Sequence, residues 1–138
     1  MSNATPQRRP VERPISPHLQ VYRLQIHMLM SGLHRVTGAA LYVGTALLAW
    51  WLIAVASGPR YFEYVNGILG HPIGKLILFG YTWALVHHMV GGVRHLIWDT
   101  GRGFDLGTVK TMSWLTIISS VVLTLLLWGV GLFLRGAF

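Results

Sequence analysis

The chain has no cysteine among its 138 residues. That excludes disulfides, zinc–thiolate sites and cysteine-ligated iron–sulfur clusters, so any metal here has to be held by histidine. Acid is scarce as well, with four Asp and Glu against eleven Lys and Arg. Charge of either sign reaches only 11 % of residues, where a typical soluble domain carries about 25 %. Hydrophobic residues fill that space, at 53 %. A single domain of this length cannot hide so much apolar surface from water, so the chain reads as an integral membrane protein.

The net charge of +7 does not point to nucleic acid, because its distribution follows the apolar runs. Arg8, Arg9, Arg13, Arg23 and Arg35 precede or open the first run, and Arg94, Arg102 and Lys110 flank the second connection. Only Arg60, Lys75 and Arg135 fall on the other side. Eight against three is the bias that orients a membrane protein with its basic side in the cytoplasm.

Two charge-free runs of 24 residues, Val36 to Pro59 and Thr111 to Leu134, each give about 36 Å of helix, enough to cross a bilayer. Between them the stretch from Ile73 to Trp98 is apolar but carries His87, His88, Arg94 and His95. The expectation is an all-α integral membrane fold of three transmembrane helices, about 29–57, 73–98 and 111–134, running up, down and up from a cytoplasmic N-terminus. Residues 1–28 form a cytoplasmic and interfacial segment, and 29–138 the three-helix anchor. Residues 1–14, with Pro6, Pro10 and Pro14, lack the apolar core of a secretory signal and read as a mobile lead. The link through Tyr61, Phe62 and Tyr64 reads as a short aromatic connection at the outer interface. The third run offers no candidate ligand and reads as packing and anchorage.

The chemistry concentrates in the second span. His88, Gly92, His95 and Asp99 recur at helical spacing and share one stripe. Ionisable groups inside a bilayer mark function by default. The intervening glycines would let a large flat group approach the backbone. A haem ligated by His88, its propionates reaching the helix end, fits this stripe; so does a pair of histidines hydrogen-bonded within a bundle. On the first span Ser31, Arg35, Gly38 and Tyr42 form a stripe at spacings of four, three and four, with His34 beside it. Up-down topology brings Ser31, His34 and Arg35 to the level of Arg94, His95 and Asp99. That cationic cluster calls for an anion, such as haem propionates; alternatively Arg35 and Arg94 snorkel to lipid phosphates.

One helix cannot supply both axial ligands of a haem. His88 and His95 are about 10 Å apart along the axis, and adjacent His87 and His88 point about 100° apart. His34 is expected to lie too shallow to face His88 across an iron. The second ligand of a six-coordinate haem is therefore expected from a partner chain.

Three motifs now carry a resemblance. Arg13-Pro-Ile-Ser-Pro-His-Leu-Gln-Val-Tyr22, Ser31-Gly-Leu-His-Arg-Val-Thr-Gly38 and His88-x-x-x-Gly92-x-Arg94-His95-x-x-x-Asp99 resemble, in order, the signatures of the cytochrome b membrane-anchor subunits of succinate dehydrogenase (respiratory complex II). The resemblance implies haem b with His88 as an axial iron ligand, shared with a second membrane-anchor subunit. It implies propionate contacts from His34, Arg35 and His95, ubiquinone bound by Ser31 and Arg35, and Asp99 near proton entry. His87 is an extra histidine, read as belonging to the bundle or an interface. Implied partners are a flavoprotein that oxidises succinate, an iron–sulfur protein, the second anchor and the lipid bilayer. The chain itself carries no residue of the succinate-oxidising site. The competing expectations are a haem-free structural anchor, or a cytochrome b subunit of another oxidoreductase such as a formate dehydrogenase or hydrogenase. The short N-terminal lead favours a bacterial inner membrane over a mitochondrial one.

Overall fold

The computed structural model describes residues 14–18 and 21–136. The lead up to Arg13, with Arg8 and Arg9, lies outside the described residues, as do Leu19, Gln20 and the last two residues. Among the described residues there are four helices and no strand: α1 (Ile26–Ala56), α2 (Pro59–Gly70), α3 (Pro72–Asp99) and α4 (Leu106–Gly136). Three of them, α1, α3 and α4, are long and apolar enough to cross a membrane.

The expected first span opens at residue 29, but α1 begins at Ile26, three residues inside the segment assigned to the interface. Gln25 precedes it in extended conformation and supplies no side-chain cap. At the other end Gly58 turns the chain with φ +102°, a value that side chains rarely tolerate. Pro59 then starts α2 at the position where a missing N–H costs nothing.

The connection is therefore a helix of 12 residues rather than a plain loop. Phe62, Val65 and Leu69 recur at helical spacing, and Val65 is fully buried. The Trp50 indole N–H donates to the Tyr61 hydroxyl at 2.9 Å, and Trp51 meets Phe62 edge-on at 6.3 Å. Asn66, Gly67 and Gly70 are loop-forming residues that mask this stripe in the sequence. His71 closes α2 and caps α3, its ring nitrogen accepting from the Ile73 N–H at 3.4 Å. Gly74 lets α3 leave at a sharp angle, since a Cβ there would stand 2.5 Å from the Ile68 carbonyl oxygen.

α4 starts five residues before the expected span, because Asp105 caps it. The carboxylate accepts from the Thr108 N–H at 2.8 Å, which satisfies one orphan donor of the first turn. Hydrogen bonds from Thr108 hold the Asp105 carboxyl below the usual carboxylate range. The capping contribution is thus present above the ordinary carboxylate pKa and fades as pH falls through the lowered value. Asp105→Ala is expected to speed amide exchange at Thr108 and Val109 at neutral pH, with Asp105→Asn close to wild type. Equal protection in all three proteins would remove Asp105 as the cap.

The three long helices alternate in direction. His34 meets His88 and Gly44 meets Tyr81, so α1 and α3 run antiparallel. Arg94 meets Ser113 and His87 meets Ser120, so α4 runs antiparallel to α3. The up-down-up arrangement follows. Leucines, valines and isoleucines of α4 point outward, while Ser113, Thr116, Ser120 and Thr124 are buried. Their hydroxyls donate to carbonyls of their own helix, Ser113 to Val109 and Thr116 to Met112. Small side chains of this kind let membrane helices approach closely where aliphatic bulk gains nothing over lipid.

Candidate functional site

α1 and α3 meet through a stack of three imidazoles. The His34 ring lies 4.0 Å from that of His88, tilted by 3°, and 4.7 Å from that of His95, tilted by 26°. His34 of α1 is thus inserted between two histidines that sit two turns apart on α3. Two glycines make this possible. A Cβ on Gly91 would stand 2.6 Å from His34 Nδ1, and one on Gly38 would stand 3.0 Å from His88 Cε1. The flat group admitted by Gly91 is the imidazole of His34. A Cβ on Gly92, by contrast, would meet nothing within 4 Å.

The depth expected of His34 is corrected: its ring reaches that of His88. α1 begins earlier and α3 ends later than the apolar runs suggest. His34 is eight residues into α1, about 12 Å of rise, while His95 and His88 lie about 6 and 16 Å from the end of α3. His34 falls between them. The rings stack face to face at 4.0 Å, so an iron could not be sandwiched between this pair.

The hydrogen bonds define which nitrogens are free. His88 Nδ1 lies 3.1 Å from the His34 carbonyl oxygen and 3.5 Å from the Thr37 hydroxyl. His95 Nδ1 lies 2.7 Å from the Gly91 carbonyl. A carbonyl only accepts, so each Nδ1 carries a proton, and in the neutral imidazole that leaves the lone pair on Nε2. A histidine that ligates a metal through one nitrogen nearly always donates its other N–H in this way. No group of three or more His, Asp or Glu among the described residues could hold a metal ion. A haem needs no such cage, since the porphyrin occupies four positions and the protein supplies axial ligands. The donor set fits one axial histidine. His34 Nδ1 is buried without a hydrogen-bond partner, a further polar atom left for a ligand.

The remaining candidates do not join the stack. Ser31 and Arg35 are exposed, one turn apart on the adjacent stripe of α1, and Asp99 is exposed at the C-terminus of α3. His87 faces away from the stack. It is 1 % exposed, with Nδ1 3.2 Å from the Ser120 hydroxyl and its ring 5.2 Å from Trp83.

Arg94 neither snorkels nor joins the cationic cluster. It is 4 % exposed, donates to the Ser113 hydroxyl at 3.4 Å and lies 5.0 Å above the Trp98 ring. The sequence signal for this inward arginine is the hydroxyl stripe at 113, 116, 120 and 124 in a run otherwise dominated by aliphatic side chains.

Residues 9–127 match the family described as succinate dehydrogenase/fumarate reductase transmembrane subunit. The succinate dehydrogenase cytochrome b556 subunit of Rickettsia felis is 41 % identical over 117 residues, covering 85 % of this chain and 91 % of its own. The subunit of the same name from Paracoccus denitrificans is 41 % identical over 114 residues, covering 83 % and 88 %. A mitochondrial cytochrome b560 subunit from Sus scrofa is 38 % identical over 117 residues, covering 79 % and 68 %.

Proposed function

The chain belongs to the succinate dehydrogenase/fumarate reductase transmembrane subunit family, and from that premise we propose that it binds haem b and forms part of a ubiquinone-reduction site. As a multi-pass subunit of a bacterial inner membrane it anchors an oxidoreductase complex. The observation that carries the haem reading is the orientation of His88, whose Nδ1 is engaged by the His34 carbonyl while Nε2 keeps its lone pair. His34, stacked on His88, His95, stacked on the other face of His34, and Arg35 supply donors for propionates at this end of α1 and α3. Haem, when bound, supplies a one-electron redox centre. His88 would hold the haem from this chain, and a second histidine would be supplied by the partner membrane anchor, because the face-to-face stack of His34 on His88 cannot bracket an iron.

Electrons reach this chain through iron–sulfur clusters on another subunit, since it has no cysteine to hold one. Succinate oxidation lies on a flavoprotein partner. Ser31 donates a hydrogen bond to a quinone carbonyl, and Arg35 one turn away stabilises negative charge as it develops on the oxygens. Pre-positioned donors act most strongly where water is excluded, which is the setting of a membrane interface covered by partner subunits. The exposure of both side chains on the isolated subunit supports this, because they are free to face a ligand or a neighbouring chain. Asp99, at the C-terminus of α3, passes protons from the adjoining aqueous side.

The test is a reduced-minus-oxidised visible spectrum of the complex purified through this chain, together with the identity of its co-purifying subunits. A low-spin b-type spectrum with a flavoprotein, an iron–sulfur protein and one further anchor is expected. A complex with those partners but without haem would leave only the structural-anchor reading. Orientation has its own test. Single cysteines at Phe104 and Ser57, in a chain that has none, are expected to be labelled from the cytoplasmic and the opposite side of sealed vesicles respectively. The reverse pattern would invert the eight-to-three charge argument.

A further inference from the structure

A cavity of about 320 Å³ lies at the end of the bundle opposite the histidine stack, among the end of α1, α2, the start of α3 and the end of α4. That volume falls within the roughly 300–1,000 Å³ of small-molecule sites. Leu47, Leu48, Leu78 and Leu132 give it apolar walls. Its aromatic lining is fixed in place. The Trp128 indole N–H donates to the Thr82 hydroxyl at 3.2 Å and the ring meets Phe79 edge-on at 5.4 Å. Trp51 is braced by Phe62, and Tyr81 packs against Gly44, where a Cβ would collide with its ring.

Two cations, Lys75 in the first turn of α3 and Arg135 in the last turn of α4, belong to the same lining, and no Asp or Glu does. Among the described residues, three Lys or Arg lie at this end, the third being Arg60. Two of the three therefore converge on one cavity whose remaining walls are apolar. Long basic side chains lay their stems along apolar surface and hold their charges at its edge. Basic pockets between membrane helices suit anionic headgroups. A neighbouring hollow of about 600 Å³ shares Leu47 and Leu69 with the first but has neither cation in its lining. The headgroup is thus directed to the first.

We propose that this cavity is a binding site for an anionic phospholipid, with the phosphate held by Lys75 and Arg135 and acyl chain against the leucine and tryptophan walls. The site is independent of haem and quinone, being at the opposite end of the bundle.

The intact complex, delipidated in a neutral detergent, is titrated with phosphatidylglycerol and with phosphatidylcholine, and retained lipid is read by native mass spectrometry. Wild type is expected to retain phosphatidylglycerol in preference to phosphatidylcholine. Removing both charges (Lys75→Gln with Arg135→Gln) is expected to weaken phosphatidylglycerol retention roughly thirtyfold, at about fivefold per cation. Arg60→Gln, outside the cavity, is expected to leave it unchanged. Leu48→Trp, which fills the cavity and keeps both cations, is expected to lose retention as well. The wild-type titration stands on its own should a variant fail to assemble. Equal retention of the two lipids, or full retention by the double variant or by Leu48→Trp, would overturn the proposal. So would displacement of phosphatidylglycerol by excess inorganic phosphate, which would mark a free-anion site. Displacement by a long-chain ubiquinone would mark a quinone site and overturn it equally.

Discussion

His88→Ala is expected to abolish the low-spin b-type spectrum of the assembled complex, leaving haem either absent or high-spin. The His88 Nδ1 proton is committed to the His34 carbonyl, so Nε2 is the nitrogen available to iron, and no other nitrogen of the stack can replace it in the same position. His34 presents its face to His88 at 4.0 Å, and His95 is two turns away. The informative control is the adjacent histidine. His87 is buried against α4 beside Ser120, so His87→Ala should keep the spectrum while lowering the thermal stability of the complex. Truncating a buried, hydrogen-bonded side chain leaves its partner unsatisfied, at a cost of about 1–3 kcal/mol. A normal low-spin spectrum in His88→Ala, with loss in His87→Ala, would move the ligand to the neighbour and refute the assignment made from ring orientation.

Ser31→Ala and Arg35→Leu are expected to lower succinate-to-quinone activity by about a hundredfold or more each. Removing one positioned donor from a developing anion costs roughly 2.7–4 kcal/mol in a water-excluded site. Electron transfer from succinate to a water-soluble acceptor that draws on the soluble subunits should survive, because neither residue touches them in this reading. Both side chains are exposed on the isolated chain, so the substitutions create no cavity within it. Arg35 also stands among the propionate donors, which makes haem content and subunit stoichiometry part of the measurement. With both intact, unchanged quinone reduction in the two variants would sink the site. Loss of the soluble-acceptor activity as well would assign Ser31 and Arg35 to assembly.

The register of the helices was the weakest part of what could be read from the chain. Charge-free runs mark where lipid contacts the protein, but a helix extends beyond them as far as caps and turns allow. Gln25, extended ahead of α1, and Asp105, which caps α4 at the same end of the bundle, set those limits. His34 stands two residues ahead of the charge-free run that opens at Val36, yet eight residues inside α1, at a depth between His95 and His88. α2 was hidden for a related reason. Its glycines and asparagine signal a loop locally, and only packing of Phe62 and Val65 against the long helices makes the helical stripe worthwhile.

By itself the amino-acid sequence determined the membrane class, the three spans and their alternating directions. Hydropathy and charge placement are properties of each segment alone, and the bilayer reads them segment by segment. Only the tertiary structure decided which faces meet. His34 stacks between His88 and His95 because Gly38 and Gly91 leave room for rings. His87 and Arg94 turn to the hydroxyl seam of α4, where Ser120 and Ser113 meet them. Lys75 and Arg135, sixty residues apart in the chain, share one cavity. Each of these depends on helix rotation and register, which are fixed by packing between segments. In a membrane, where outward and inward residues can both be apolar, the periodicity of a single helix carries little of that information.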